Sequence, residues 1–196
     1  MFHRLAEADF AVVAPMYRGS DGGEGRDEMG GSDLNDLFNI IPVLCQLNSL
    51  DTSNVFLYGE SRGGMMVFQA IRDGFPARAA ATFGAFTDLN EITSTGPGLA
   101  TAKAIWPDFE ERREEIISRR SAILWPERLK LPLLLMHGSS DESVPVTQTL
   151  QLAIKLARMQ KKFGLIVFPG GNHSLTRRQV ERDEYVLEFF RQHLVN

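Results

Sequence analysis

Three short stretches hold residues able to do nucleophilic chemistry together. The first is Tyr58-Gly59-Glu60-Ser61-Arg62-Gly63-Gly64, with Ser61 inside Gly-x-Ser-x-Gly. The second is His137-Gly138-Ser139-Ser140-Asp141-Glu142-Ser143-Val144-Pro145. The third is Pro169-Gly170-Gly171-Asn172-His173-Ser174. A serine hydroxyl attacks a carbonyl only when a base takes its proton. An imidazole base in turn needs a carboxylate to fix its tautomer and stabilise the imidazolium. Ser61, Asp141 and His173 supply nucleophile, acid and base in that chain order. Glu142 stands beside Asp141 as the alternative acid. His137, His3 and His193 are weaker candidates for the base: one ends a strand, one lies near the amino terminus and one is on the last helix.

The elements around Ser61 suit that role. Asn54-Val55-Phe56-Leu57 is short, apolar and β-rich, while Met65, Phe68 and Ile71 recur with helical spacing. Ser61 therefore sits on a strand-to-helix turn. Gly59 and Gly63 are expected to leave room for strand and helix to pass closely, and the helix amino terminus aims N–H groups at the site. The competing reading is a glycine-rich turn of a nucleotide-binding domain. Neither Gly-x-Gly-x-x-Gly nor Gly-Lys-Ser/Thr accompanies it.

Taken in order, residues 2–8 read as the last turns of a helix and Phe10–Met16 as a buried strand. Tyr17–Gly31 is a surface loop with six glycines, fitting neither a phosphate nor a calcium template. Ser32 caps a helix expected to reach about Ser49, with Leu34, Leu37, Phe38, Ile41 and Cys45 on one stripe and Pro42 kinking it. Cys45 on that stripe reads as a core thiol. Strands follow at Asn54–Tyr58, Arg78–Gly84, Leu131–Met136 and Phe163–Phe168. Helices are expected to about Asp73, over Val146–Lys161 after Pro145, and over Thr176–Leu194, the last burying Val186, Phe189, Phe190 and Leu194. Residues 86–130 carry no strand signal and read as a small helical lid, with Trp106 and Trp125 packed against the core and a solvated charged stretch at Asp108–Arg120. Strands alternating with helices mean a parallel sheet with helical cover, in one domain over 1–196.

Bulk properties exclude several classes. The net charge of −4, from 25 acidic and 21 basic residues, is no footprint for nucleic acid or an anionic membrane. A single cysteine excludes an internal disulfide, and the histidines and Cys45 lack metal-ligand spacing. No stretch approaches a membrane span or a signal peptide, so the expectation is a cytoplasmic protein without metal or cofactor.

Nearly the whole chain resembles the catalytic domain of the prolyl oligopeptidase family of serine peptidases, within the α/β-hydrolases, whose triads run in the order seen here. The resemblance rests on Tyr17-Arg18-Gly19-Ser20, Gly59–Gly64, Arg120-Ser121-Ala122-Ile123, His137-Gly138 to Asp141 with Val144-Pro145 and Gln148, and Gly171-Asn172-His173. The elbow and the Asp motif are common to many esterases. The Arg-Gly-Ser and Arg-Ser-Ala-Ile pieces are narrower, although the family usually has proline at the third position of the latter. The resemblance implies an α/β-hydrolase sheet of about five strands with helices on both faces, and an acyl-enzyme on Ser61. It also implies an oxyanion held by the backbone N–H of Arg62. The implied substrate is a short peptide, an acylated peptide or a small ester.

The family's domain begins with strands and a His-Gly-Gly loop before the first strand read here. The expectation is thus an amino-terminally shortened domain with no visible second oxyanion donor. Its Phe10–Met16 and Asn54–Tyr58 strands must pair directly or leave an edge open. Apolar surface exposed on that side would favour a homo-oligomer. Two alternatives stand beside this reading. One is a truncated, weakly active or non-catalytic fragment serving as a binding module. The other is a small-molecule carboxylesterase like the dienelactone hydrolases, which typically use cysteine where this elbow has serine.

Overall fold

A computed structural model describes residues 1–94 and 96–195. Its centre is a parallel sheet of four strands: β1 (Phe56–Glu60), β2 (Ala79–Phe83), β3 (Leu133–Gly138) and β4 (Phe163–Phe168), in the spatial order β1-β2-β3-β4. Parallel neighbours need crossover connections, and helices supply them. Helices α1 (Phe2–Glu7) and α2 (Leu34–Leu44) precede β1, the crossovers hold α3 (Arg62–Arg72), then α4 (Leu89–Ile92), α5 (Gly96–Ile105) and α6 (Arg113–Arg120), then α7 (Thr147–Arg158), and α8 (Gln179–Arg191) follows β4. No helix among the described residues is long and apolar enough to cross a membrane.

The pleat divides the core in two. Leu57, Ala80, Leu133 and Leu135 face the side covered by α3 and α7, where Met65, Phe68 and Leu152 pack on them. Ala81, Phe83, Leu134 and Met136 face the other side, against Leu5 of α1 and Val186 and Phe190 of α8. Both faces are therefore covered, and β2 and β3 are buried at every position. The alanines of β2 would suit a helix by propensity. Burial between two strands decides otherwise, and their small side chains let helices approach from both sides.

Several elements depart from expectation. Residues Phe10–Met16 form no strand, and Val13 and Met16 are exposed. An apolar run becomes a strand only when a ladder accepts its backbone. Here a cavity of about 1210 Å³ is lined by these residues and by β1, and Phe10 meets β1 through its ring against Phe56, not through a ladder. Among the described residues no strand pairs with the outer edge of β1, the second of the two outcomes foreseen, and the sheet has four strands rather than about five. Helix α2 ends at Leu44, two residues after Pro42, with Asp33 rather than Ser32 at its start. Cys45 lies beyond that end and is exposed, so it is no core thiol. Helix α8 buries Val186 and Phe190 but leaves Leu194 exposed beyond its last turn.

Among its described residues the segment between β2 and β3 has no strand, as expected, and Trp106 and Trp125 are buried in the core. Its charged stretch is less solvated than anticipated, because Ile116, Ile117 and Arg120 of α6 face inward. The Arg120 guanidinium lies over Trp106 and donates to the carbonyls of Met29 and Glu28 at 2.9 and 3.0 Å. Burial, reinforced by neighbouring Arg119, brings its pKa down to about 10. Gln69 of α3 donates to the Gly30 carbonyl at 2.8 Å. The second half of the glycine-rich loop is therefore pinned to the core, not free at the surface.

Candidate active site

Ser61 follows β1 and immediately precedes α3. Its backbone has φ 53° and ψ −121°, a conformation that a side chain disfavours. The strain is held from several sides. The N–H of Ser61 donates to the carbonyl of Phe83, the last residue of β2, at 2.9 Å. On one flank Glu60 accepts from Arg182 of α8 at 2.5 Å. On the other, Arg62 forks onto both carboxylate oxygens of Asp27, at 2.7 and 3.0 Å. Burial tends to raise the pKa of Asp27, but the bonds and charge of Arg62 together with the Met29 N–H outweigh it and hold the carboxyl below its usual range. Gly59 is required as expected, since a Cβ there would lie 2.4 Å from the Gly63 backbone. Gly63 is not the second tight position, because a Cβ there meets nothing within 4 Å. That position is Gly64, whose added Cβ would fall 2.5 Å from that of Ala85.

The turn after β3 carries Asp141, and its side chain is fully shielded from solvent. One carboxylate oxygen, Oδ1, accepts from the N–H groups of Ser143 and Val144 at 2.9 and 2.8 Å. The other, Oδ2, lies 2.7 Å from Nδ1 of His173. Since the carboxylate only accepts, His173 carries its proton on Nδ1 and presents Nε2 as the acceptor. Glu142 is exposed and takes no part.

His173 comes from the turn after β4 and is the half-exposed member of the pair. Two glycines bring the turns together. A Cβ on Gly138 would lie 2.3 Å from the Gly171 carbonyl oxygen. The N–H of Ser140 donates to that same oxygen at 2.9 Å, and the N–H of Gly170 to Ser139 Oγ at 2.8 Å. Gly84, directly after the Phe83 that holds Ser61, has φ 55°. A Cβ there would be 3.3 Å from Asp141 Oδ2 and 3.4 Å from His173 Nδ1. The strand ends thus place all three predicted residues at the same rim of the sheet, the carboxyl side where α/β folds hold their sites. Asp141 and His173 are hydrogen-bonded. No such bond joins Ser61 Oγ to His173 among the described residues, and in unliganded sites that contact is commonly loose.

The remaining histidines lie apart from this pair or behind it. His3 pairs with Glu7 near the surface, and His193 sits against the Phe189 carbonyl. His137 is wholly buried beneath the turn, as expected from its place at the end of β3. Sequence reasoning missed Asp27, Gly84 and the Gly138–Gly171 contact. Each acts through a neighbour distant in sequence, and no local pattern marks it.

Comparison with known proteins places this geometry in a lineage. The family model described as prolyl oligopeptidase family matches residues 1–196. The uncharacterized peptidase YtmA of Bacillus subtilis (strain 168) is 28% identical over 160 residues, covering 81% of this chain and 62% of that protein. The human acylamino-acid-releasing enzyme is 27% identical over 199 residues, covering 93% of this chain and 27% of the enzyme. Among solved structures, a puromycin-hydrolyzing peptidase of Mycobacterium tuberculosis superposes with a TM-score of 0.72 at 25% identity, over 85% of this chain and 26% of that one. The chain therefore spans less than two thirds of these relatives' own length.

Proposed function

Because this chain belongs to the prolyl oligopeptidase family, we propose that it acts as a serine hydrolase, with Ser61 as nucleophile, His173 as general base and then acid, and Asp141 as the group that orients His173. Nε2 of His173 takes the proton of Ser61 Oγ as that oxygen attacks the carbonyl. The imidazolium so formed rests on Asp141 Oδ2, and it returns the proton to the leaving amine or alcohol. Water then releases the acyl group from Ser61 by the same steps reversed in role. Arg62 is the first residue of α3, where a backbone N–H has no intrahelical acceptor. That N–H is the donor we assign to the developing oxyanion.

The observation that carries this reading is the 2.7 Å pairing of His173 with a carboxylate sealed from solvent, at the rim where a strained serine turn ends β1. For the substrate we favour a short or acylated peptide over a simple ester. The support is the naming of relatives as acylamino-acid-releasing enzymes and as a puromycin-hydrolyzing peptidase. Labelling with a fluorophosphonate, beside Ser61→Ala and His173→Ala, tests the mechanism without a substrate guess. Wild type should label and both variants should not. A folded wild-type protein that stays unlabelled overturns the proposal.

A further inference from the structure

A second histidine lies against the same carboxylate. Nε2 of His137 is 2.9 Å from the Val144 carbonyl oxygen and 3.3 Å from Asp141 Oδ2. Its Nδ1 is 2.7 Å from Thr149 Oγ1 on α7. A carbonyl can only accept, so the proton sits on Nε2, and Nδ1 receives the threonine hydroxyl. The Val144 N–H, for its part, donates to Asp141 Oδ1. One imidazole thus closes a ring of contacts from β3 through Val144 to both oxygens of Asp141, and α7 holds its far end.

We propose that His137 is a positioning residue for Asp141: through Val144 and its 3.3 Å contact with Oδ2 it fixes the carboxylate so that Oδ2 addresses His173. The two imidazoles on that oxygen divide the work. His173 is partly open to solvent and is free to gain a proton from Ser61, whereas His137 is sealed and keeps one tautomer. Burial pushes the pKa of His137 down, against the pull of the Val144 carbonyl and Asp141. It therefore stays uncharged and leaves the carboxylate's charge to His173. A misplacement of about 1 Å at such a group costs on the order of a hundredfold in rate.

The inference rests on the serine hydrolase reading, so its test has one arm that needs no reactivity. Long-range ¹H–¹⁵N correlation spectra of the wild-type protein should show one imidazole, missing in His137→Gln, fixed as the Nε2–H tautomer between about pH 7 and 8. An Nδ1–H tautomer overturns the proposal. The second arm compares His137→Gln, whose amide nitrogen can take the place of Nε2, with His137→Asn, which is too short. Saturation kinetics of fluorophosphonate labelling should show Gln within about threefold of wild type. Asn should lose about 10- to 100-fold in the maximal rate, with its half-saturating concentration unchanged. Equal rates for the two variants overturn the assignment. Should both variants fail to fold, Thr149→Val loosens the same ring from its far end. It should slow labelling about three- to tenfold, and no change overturns the inference. If wild type itself does not label, the serine hydrolase reading fails. The low-field His173 Nδ1–H resonance then decides: its loss in His137→Asn but not in His137→Gln supports positioning, and its survival in both overturns it.

Discussion

Gly138 and Gly171 touch backbone to backbone, so closely that a Cβ on Gly138 would lie 2.3 Å from the Gly171 carbonyl oxygen. This contact sets the spacing between the turn that carries Asp141 and the turn that carries His173. Gly138→Ala must push the turns apart, because neither backbone can yield like a flexible side chain. Fluorophosphonate labelling should fall by at least about tenfold. A variant that labels at the wild-type rate would show that the two turns are positioned by other means.

The glycines of the elbow should respond with opposite signs. Gly59→Ala drives a methyl group into the Gly63 backbone at 2.4 Å, and should destabilise by about 1–3 kcal/mol. Gly63 lies in α3, where an added Cβ meets nothing within 4 Å. Gly63→Ala should therefore stabilise by about 0.5–1 kcal/mol through lost freedom of the unfolded chain. Urea denaturation of the two variants reads both, and equal effects would contradict the geometry.

Ser61 stores backbone strain at φ 53°. Ser61→Gly relieves it and Ser61→Ala does not, although both remove the hydroxyl. The glycine variant should be the more stable by about 1 kcal/mol. Matching denaturation midpoints for the two would show that the elbow is unstrained.

His137 gives stability a pH dependence of definite sign. Its folded pKa lies below the ordinary value of 6.5, chiefly through burial. As pH falls below about 6.5 the unfolded chain takes up the proton first, so stability is full above that pH and declines below it. The slope reaches at most about 1.4 kcal/mol per pH unit. The Asp141 carboxylate and the His173 imidazole are the titratable neighbours facing the ring. Only the His137 share should vanish in His137→Gln. Parallel stability curves for wild type and variant between about pH 5 and 7 would refute this.

What the sequence made legible was local. Ser61, Asp141 and His173 each sit in a turn whose glycines and flanking apolar runs mark it, and the strand ends do carry all three to one rim. Phe10–Met16 misled because apolar composition reports a wish for burial, while a strand needs a neighbour's hydrogen bonds. Cys45 misled because a helical stripe continues on paper past the point where the chain leaves the helix. The elbow motif alone does not reveal that Gly64 is tight against Ala85, since the partner is 21 positions away across β2. The same holds for His137: its neighbours Val144, Thr149 and Asp141 are near in sequence, but only the fold turns its ring toward them.

The strand order β1-β2-β3-β4 follows the order of synthesis. Each strand docks on the edge left by the one before it, and none has to be threaded between two already paired. During vectorial folding on the ribosome the serine turn emerges first and the histidine turn last. On the proposed reading, Ser61 has no base beside it until β4 joins the sheet and brings the His173 turn to the same rim.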